Sequence, residues 1–485
     1  MRPHAKEHGP QHPGEIDGTV DDARREQSDA QVPTHPREAT RGRAAPSSPG
    51  CHLGCHLRRF RGKLVGLIES AVECEVAIVG AGAAGLATAI FCKRMNPERS
   101  VVLLEGARSP GAKILVSGGS RCNVTNATVT ERDFWGGPAT IVRRVLRAFP
   151  VPDTVAFFRE LGVALHEEAD GKLFPDTNRS RDVLAALLGE VARLGATLRT
   201  GARVLDVAPT DRGFLVTTSS GAVRAGAVVL ATGGQSLPKS GSDGTGFVLA
   251  GRLGHTIVPP TPALAALVLD ADEPLHVALS GVAQDVELTI WVDDAVQQRL
   301  AGALLWTHIG ASGPVAMNAS RHWLRARLEG RSPSVTLNFC QGRPFDSVDA
   351  EWVALANARP AQSVQHALAA TLPASVANTL LDHLHIDRTR QLAQLRRDDR
   401  RRLVHALTAW PLRVADTRGY PHAEATAGGV ALTEIDPSTM ESRRQPGVHL
   451  VGEVLDVDGR IGGFNFQWAW ASGRVAGAAL ARRAT

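Results

Sequence analysis

Cysteine is scarce, with six in 485 residues. So few thiols in so long a chain do not make a disulfide framework, and they suggest a reducing, cytoplasmic setting. Their only local group, Cys51-His-Leu-Gly-Cys55-His56, lies in a Pro/Ser/Arg-rich stretch with no second ligand pair after it. It reads as chance composition, and no metal is expected. Apolar runs long enough to span a bilayer, about 18 residues, are missing, and the polar N-terminus lacks the apolar core of a secretory signal. Membrane insertion is therefore not expected. A dominant charge is missing too. The net charge is +5, and the arginines are scattered rather than interleaved with aromatics, which are 5% of the chain. The densest basic run, Arg396 to Arg402, contains Asp398 and Asp399 and reads as a solvated helix face. No stable nucleic-acid partner is expected. Internal repeats, Ser/His/Asp sets and metal-ligand spacings are absent as well.

Glycine, by contrast, is plentiful at 48 residues, above the usual share of about 7%. Residues 75–105 explain part of it. Val76 to Val79 form a short β-branched run, Gly80-Ala-Gly82-Ala83-Ala84-Gly85 follows, then a small-residue helix and a second apolar run ending at Glu105. That order of strand, glycine turn, helix, strand and acid is the dinucleotide fingerprint in its full context. Gly80 permits the tight turn, Gly82 lets the backbone approach a pyrophosphate, and Gly85 lets helix pack on strand. The helix N-terminus at Ala83 and Ala84 offers free N–H groups to phosphate. Glu105 stands where a carboxylate accepts ribose hydroxyls.

Two later strings separate FAD from NAD. Residues 227–234, AVVLATGG, end a buried strand at Thr232-Gly233-Gly234, and residues 448–456, VHLVGEVLD, end another at Gly452-Glu453. They resemble the further signatures of FAD proteins of this fold, in which the ATGG turn returns beside the cofactor and the late acid reaches the ribityl chain. Other strings narrow the resemblance: GAKILVSGGSRCNVTN at 111–126, WTHIGASGP at 306–314, TAGGVALTEID at 426–436 and the terminal GEVLDVDGRIGGFNFQWAWASGRVAGAAL. Together, over residues 74–485, they look like the BaiN/YhiN-like (aminoacetone-oxidase-type) flavoproteins, related in fold to the fumarate-reductase and succinate-dehydrogenase flavoproteins. Ser120 departs from that pattern, standing where a third glycine is usual, and Phe464 and Phe466 stand where Tyr and Leu are usual. The resemblance implies a cytosolic FAD-dependent oxidoreductase with noncovalent FAD. It also places Lys113, Ser117, Gly118, Gly119, Arg121, Cys122, Asn123, Gly462, Gly463, Phe464 and Asn465 against the cofactor. No substrate follows from it.

The positions of these strings predict an α/β fold: a discontinuous Rossmann-type FAD-binding domain, 74–262 and 426–485, with an inserted substrate or cap domain at 263–425, β-rich over 263–345 and helical over 346–425. Pro259-Pro260-Thr-Pro262 marks the first boundary. Residues 1–73, rich in Pro, His, Arg and acids, read as a disordered extension, because they offer too little apolar surface to offset ordering entropy. The stretch 61–73 reads either as a short helix or as a lead-in. Strands at 203–232 turn at Asp211-Arg-Gly213. The segment from Gly462 to Ala481 reads as a helix that points its N-terminus at the flavin. There is no second GxGxxG unit, so NAD(P)H binds transiently or not at all.

The cofactor carries the chemistry, and the chain positions a small-molecule substrate. Arg121 is a candidate to pin a substrate carboxylate or carbonyl, or a cofactor phosphate; a structural ion pair is the alternative. Lys113 is a similar candidate. His308, on the insert expected to roof the flavin, is a candidate acid or base, with an interface histidine as the alternative. His422 and Glu424 rank lower. Asp456 and Asp458 most simply hold turns or ribityl hydroxyls. Cys122 reads as a packing residue rather than a nucleophile, and no Cys-x-x-Cys pair adjoins the flavin strings. The expected activity is hydride transfer between a small organic substrate and flavin, with NAD(P)H or dioxygen as second partner. The rival is a flavin-binding regulatory or RNA-associated module without turnover.

Overall fold

The computed structural model describes residues 71–483. The Cys51–His56 cluster and most of the N-terminal extension lie outside the described residues. Strand β1 (Val72–Val79) already begins within the last residues assigned to that extension. β1 pairs in parallel with β2 (Val101–Leu104) on one side and with β3 (Gly221–Leu230) on the other. Thr197–Arg199 extends the sheet beyond β2. The free edge of β3 is shared. Its first half takes the antiparallel strand Gly213–Thr218, itself paired with Val204–Thr210. Its second half, Val228–Leu230, takes β4 (Val448–Leu450) in parallel. The chain thus returns from more than two hundred residues away to complete the sheet at the carboxyl end of β3, where a doubly wound sheet binds ligands. The ends of β1, β2 and β3 are buried on both faces, which is why they read as continuous apolar runs.

The fingerprint helix, Ala83–Met95, packs against the terminal helix, Phe464–Arg482. Their backbones come close because Gly473 and Gly477 face Ala84 and Thr88; a Cβ at either glycine would strike the partner helix. Pro150 and Pro152 divide the next helical stretch as the sequence predicts, into Ala139–Ala148 and Val151–Glu160.

The proline-rich boundary is not a loop. Residues Ile257–Ala263 form a strand that pairs antiparallel with Ala425–Val430, so the outgoing and returning chains make one two-stranded ribbon. Its register shifts between Val258 and Thr261, and the bulge accommodates Pro259 and Pro260, which have no N–H to give a ladder. Beyond it lies a seven-stranded sheet in the order Trp410–Leu412, Pro333–Asn338, Ala283–Val292, Ala295–Thr307, Gly310–Ser312, Leu267–Leu269, Val414–Thr417. Its first and last strands are joined by Arg413 alone, so the sheet curls back on itself. The longest hairpin turns at Asp293-Asp294, both with positive φ (50° and 61°), a primed turn made without glycine. Helices 345–358, 364–369, 374–383 and 397–408 close the unit around Trp306, Trp323 and Leu288.

Helix Gly313–Leu328 packs on both the ribbon strand Ile257–Ala263 and the long strand Ala295–Thr307. Arg321 forms a bidentate ion pair with Asp458, 2.6 and 2.8 Å, both side chains buried. Its guanidinium lies 5.1 Å from the centre of the Trp135 ring, and His322 meets the same ring edge-on. Both Asp458 oxygens are thus committed to Arg321, which ties the strand Val457–Gly459 to this helix. Among the described residues no helix is long and apolar enough to cross a membrane, and no cluster of His, Cys, Asp and Glu could hold a metal ion.

Candidate cofactor and active site

The glycine turn after β1 is built by collision and clearance. Gly80 has φ +104°, and a Cβ there would strike the carbonyl of Ala231. A Cβ on Gly85 would strike the carbonyl oxygen of Gly80. Gly82 differs from both: no atom lies within 4 Å of its Cβ position, and its backbone, φ −85°, suits any residue. Two of the glycines serve packing, and the third keeps an approach clear. The helix beginning at Ala83 has no side-chain cap, so its first N–H groups remain for an anion. Glu105 ties the turn together. Its Oε2 accepts from the Ala81 N–H and its Oε1 from the Ala107 N–H, both at 2.9 Å. Each oxygen keeps a lone pair for a ribose hydroxyl.

Residues 117–123 form a tight left-handed loop. Gly118, Gly119 and Ser120 have φ of +54°, +67° and +65°, and Cys122 repeats it at +65°. The third glycine that the family resemblance leads one to expect is thus a conformational requirement, and Ser120 meets it at a cost of about 1–2 kcal/mol. Asn123 Oδ1 is buried with no hydrogen-bond partner, and such an acceptor at a cofactor cradle fits a donor on the ligand. Cys122 is fully buried, and burial pushes its thiol up to about 12, the behaviour of a packing residue. Arg121 is taken by protein: it donates to both oxygens of Glu168 (2.6 and 3.3 Å) and lies 4.0 Å from the centre of the Phe174 ring. That is the ion-pair alternative.

The third part joins four distant segments. Lys113 Nζ donates to Glu453 Oε2 at 2.5 Å and to Ser236 Oγ at 2.6 Å. Glu453 Oε1 accepts from Ser236 Oγ (3.0 Å) and from the Thr426 N–H (2.8 Å). The Thr426 hydroxyl accepts from the N–H groups of Gln235 and Ser236. Thr232 packs on Gly246, and a Cβ on Gly234 would overlap the Thr426 hydroxyl. Gly452 lies against Ala84 and donates its N–H to Ser472 Oγ. Ser236 and Thr426 are not singled out in the sequence, although Thr426 opens the TAGGVALTEID string and Ser236 stands two residues beyond the ATGG turn. Their signal was their place beside the glycines.

Several of the expected side chains are exposed or engaged elsewhere. His308 sits in the exposed turn between Ala295–Thr307 and Gly310–Ser312, beside Leu269, whose N–H reaches the Ile309 carbonyl. Phe464 is 1% exposed, its ring packed edge-on against Phe134, so its side chain cannot meet a cofactor. Asn465 is also committed, giving to and accepting from the backbone of Gly459. Gly462 and Gly463 do open the terminal helix, which has no side-chain cap.

A family model described as the HI0933-like protein Rossmann domain matches residues 74–479. The chain is 32% identical over 409 residues to the 3-dehydro-bile acid delta(4,6)-reductase of Clostridium scindens, covering 84% of this chain and 99% of that one. It is 34% identical over 402 residues to the ribosomal RNA dihydrouridine synthase of Escherichia coli, covering 82% and 96%. Among solved structures, the open conformation of a flavocytochrome c3 fumarate reductase aligns with a TM-score of 0.44 at 16% identity, over 87% of this chain and 81% of that one.

Proposed function

Because the chain belongs to the HI0933-like Rossmann-domain family, a family of FAD-dependent oxidoreductases, we propose that it is a reductase of carbon–carbon double bonds conjugated to a carbonyl, with FAD held noncovalently. One observation carries this reading. The two relatives act on unlike substrates, yet both names describe adding two hydrogens across such a bond, in a 3-oxo steroid skeleton or in a uracil ring. This chain matches both over nearly their whole length. The chemistry is common to them, and the substrate is not.

The residues present fit FAD. The uncapped helix at Ala83 and the clear approach over Gly82 receive the pyrophosphate, Glu105 the ribose, and the Lys113–Glu453 pair with Asn123 Oδ1 the inner half of the cofactor. Bound flavin supplies the hydride. The chain fixes its position through backbone clamps and keeps a charged, hydrogen-bonded wall beside it. Among the described residues the four cysteines are free and none pairs with another, which fits a reducing cytoplasm and offers no dithiol for disulfide reduction.

A small molecule suits the substrate better than RNA. The arginine-rich run is partly paired within the protein: Asp399 is shared by Arg390, Arg396 and Arg402, and Asp349 takes Arg400. With no second nucleotide-binding unit in the described sheets, NAD(P)H acts as a transient donor. The test is anaerobic. NADH or NADPH should bleach the flavin, and a conjugated enone from a panel should restore its colour, with free uridine and ribosomal RNA as the competing arms. Flavin that only dioxygen reoxidises would overturn the reductase reading, and restoration by ribosomal RNA alone would overturn the small-molecule assignment.

A further inference from the structure

Glu424 stands just before the returning strand of the ribbon, and its N–H still pairs with the Leu264 carbonyl. Two residues on, Thr426 turns its hydroxyl to the Gln235 and Ser236 N–H groups. Glu424 itself stands at the bend that opens this strand. It lies beside the Lys113–Ser236–Glu453 cluster: Ser236 Oγ reaches the Glu424 carbonyl at 3.4 Å, and Lys113 is near enough to act on its carboxyl. Its neighbours are committed: Glu453 to Lys113, Ser236 and Thr426, and Glu105 to the glycine turn. The Glu424 side chain makes no hydrogen bond or ion pair of its own, and it remains open to solvent. The surrounding protein nevertheless pushes its carboxyl above the usual range by desolvation, against the opposing pull of Lys113. The other groups nearby come from its own turn: Tyr420, its phenol held up at about 12 by burial against the pull of Arg325, and His422, paired with Arg418.

We propose that Glu424 is the catalytic acid of this chain, the proton donor to the α-carbon of the substrate. The inference rests on the reductase reading above. The β-carbon receives a hydride, and with it two electrons, from reduced flavin, which becomes oxidised. The π pair of the double bond becomes the bond between the α-carbon and the proton released by Glu424. The carboxylate left behind is reprotonated by water, which its exposure admits, and NAD(P)H restores the reduced flavin. In sum one double bond gains two hydrogens, one delivered as hydride and one as proton.

The test uses the full-length holoenzyme and its Glu424→Gln and Glu424→Asp variants. Glu424→Gln should keep its flavin and its rate of reduction by NAD(P)H. Reoxidation by the active enone should slow by about 10²–10⁴-fold, the usual contribution of a general acid, and the limb at high pH should vanish from its profile. Glu424→Asp should recover part of the rate. A second readout needs no turnover: a protonated-carboxyl infrared band should persist in the wild-type holoenzyme above the ordinary glutamate pKa of about 4.3, and Glu424→Gln should lack it. Wild-type reoxidation in Glu424→Gln, or the same band in both proteins, would overturn the assignment. If no enone or uridine reoxidises the wild-type flavin, the reductase reading falls and this proposal falls with it. An active wild type with an unaffected Glu424→Gln removes Glu424 alone.

Discussion

At Gly82 and Gly85 a single added methyl separates binding from folding. A Cβ at position 85 meets the Gly80 carbonyl inside the first turn of the fingerprint helix, whereas position 82 has open space and an ordinary backbone. Gly82→Val should therefore leave the thermal unfolding of the apoprotein nearly unchanged and abolish flavin retention. Gly85→Ala should lower stability by roughly 1–3 kcal/mol, the usual cost of overpacking, before flavin is considered. Absorbance of the purified variants and their melting curves check both. Ser120 makes a second case. Its φ of +65° is one that glycine adopts freely, so Ser120→Gly should raise stability by up to about 1 kcal/mol in denaturant melts, with flavin content retained. The glycine fingerprint was legible in the sequence because it follows from local backbone sterics, Glu105 because of its spacing after it, and the unusual Ser120 through the family resemblance. The Lys113–Glu453 and Arg121–Glu168 pairs were not. Each links residues far apart in the chain, and the partner of a long-range charge pair leaves no local pattern.

At the scale of elements, periodicity and proline found the parallel strands, the broken helix and the terminal helix, because burial on one or both faces writes a period into the sequence. The ribbon at Ile257–Ala263 escaped, since prolines argue for a boundary until a bulge is seen to absorb them. His308 shows a related limit: a motif shows that a turn exists, but not what that turn faces. The junction helix Gly313–Leu328 carries a testable consequence. His322 is buried against Trp135, and desolvation, aided by Arg321, lowers its pKa to about 3 from an ordinary value near 6.5. A histidine with a lowered folded pKa contributes no penalty above 6.5. As pH falls from 6.5 towards 3 the unfolded chain binds the proton that the folded chain refuses, and stability declines by up to about 1.4 kcal/mol per pH unit. His322→Leu should flatten that part of the stability profile. Equal slopes in the two proteins between pH 6 and pH 4 would show that the ring is protonated without cost.

For the whole molecule, the described chain holds two hydrophobic cores joined by a small one. One runs through the parallel sheet and both of its returning segments, the other through the curled sheet and its helices, and Ala263, Leu264, Ala425 and Ala427 lie between them on the ribbon. The cradle lies on the first core, and Glu424 stands where the ribbon carries the chain from the second core back to the first. Flavin binding should thus depend on both chain crossings and on the buried Arg321–Asp458 pair, which fixes one core against the other. The first 73 residues precede the family match, and their composition supplies few apolar side chains. A protein starting at residue 71 should therefore retain the flavin stoichiometry of the full chain, with a melting temperature within about 2 °C of it, since a loss of 1 kcal/mol shifts a chain of this size by only about 1 °C. A truncated protein that sheds flavin or precipitates, while the full chain stays soluble, would show that these residues complete the fold.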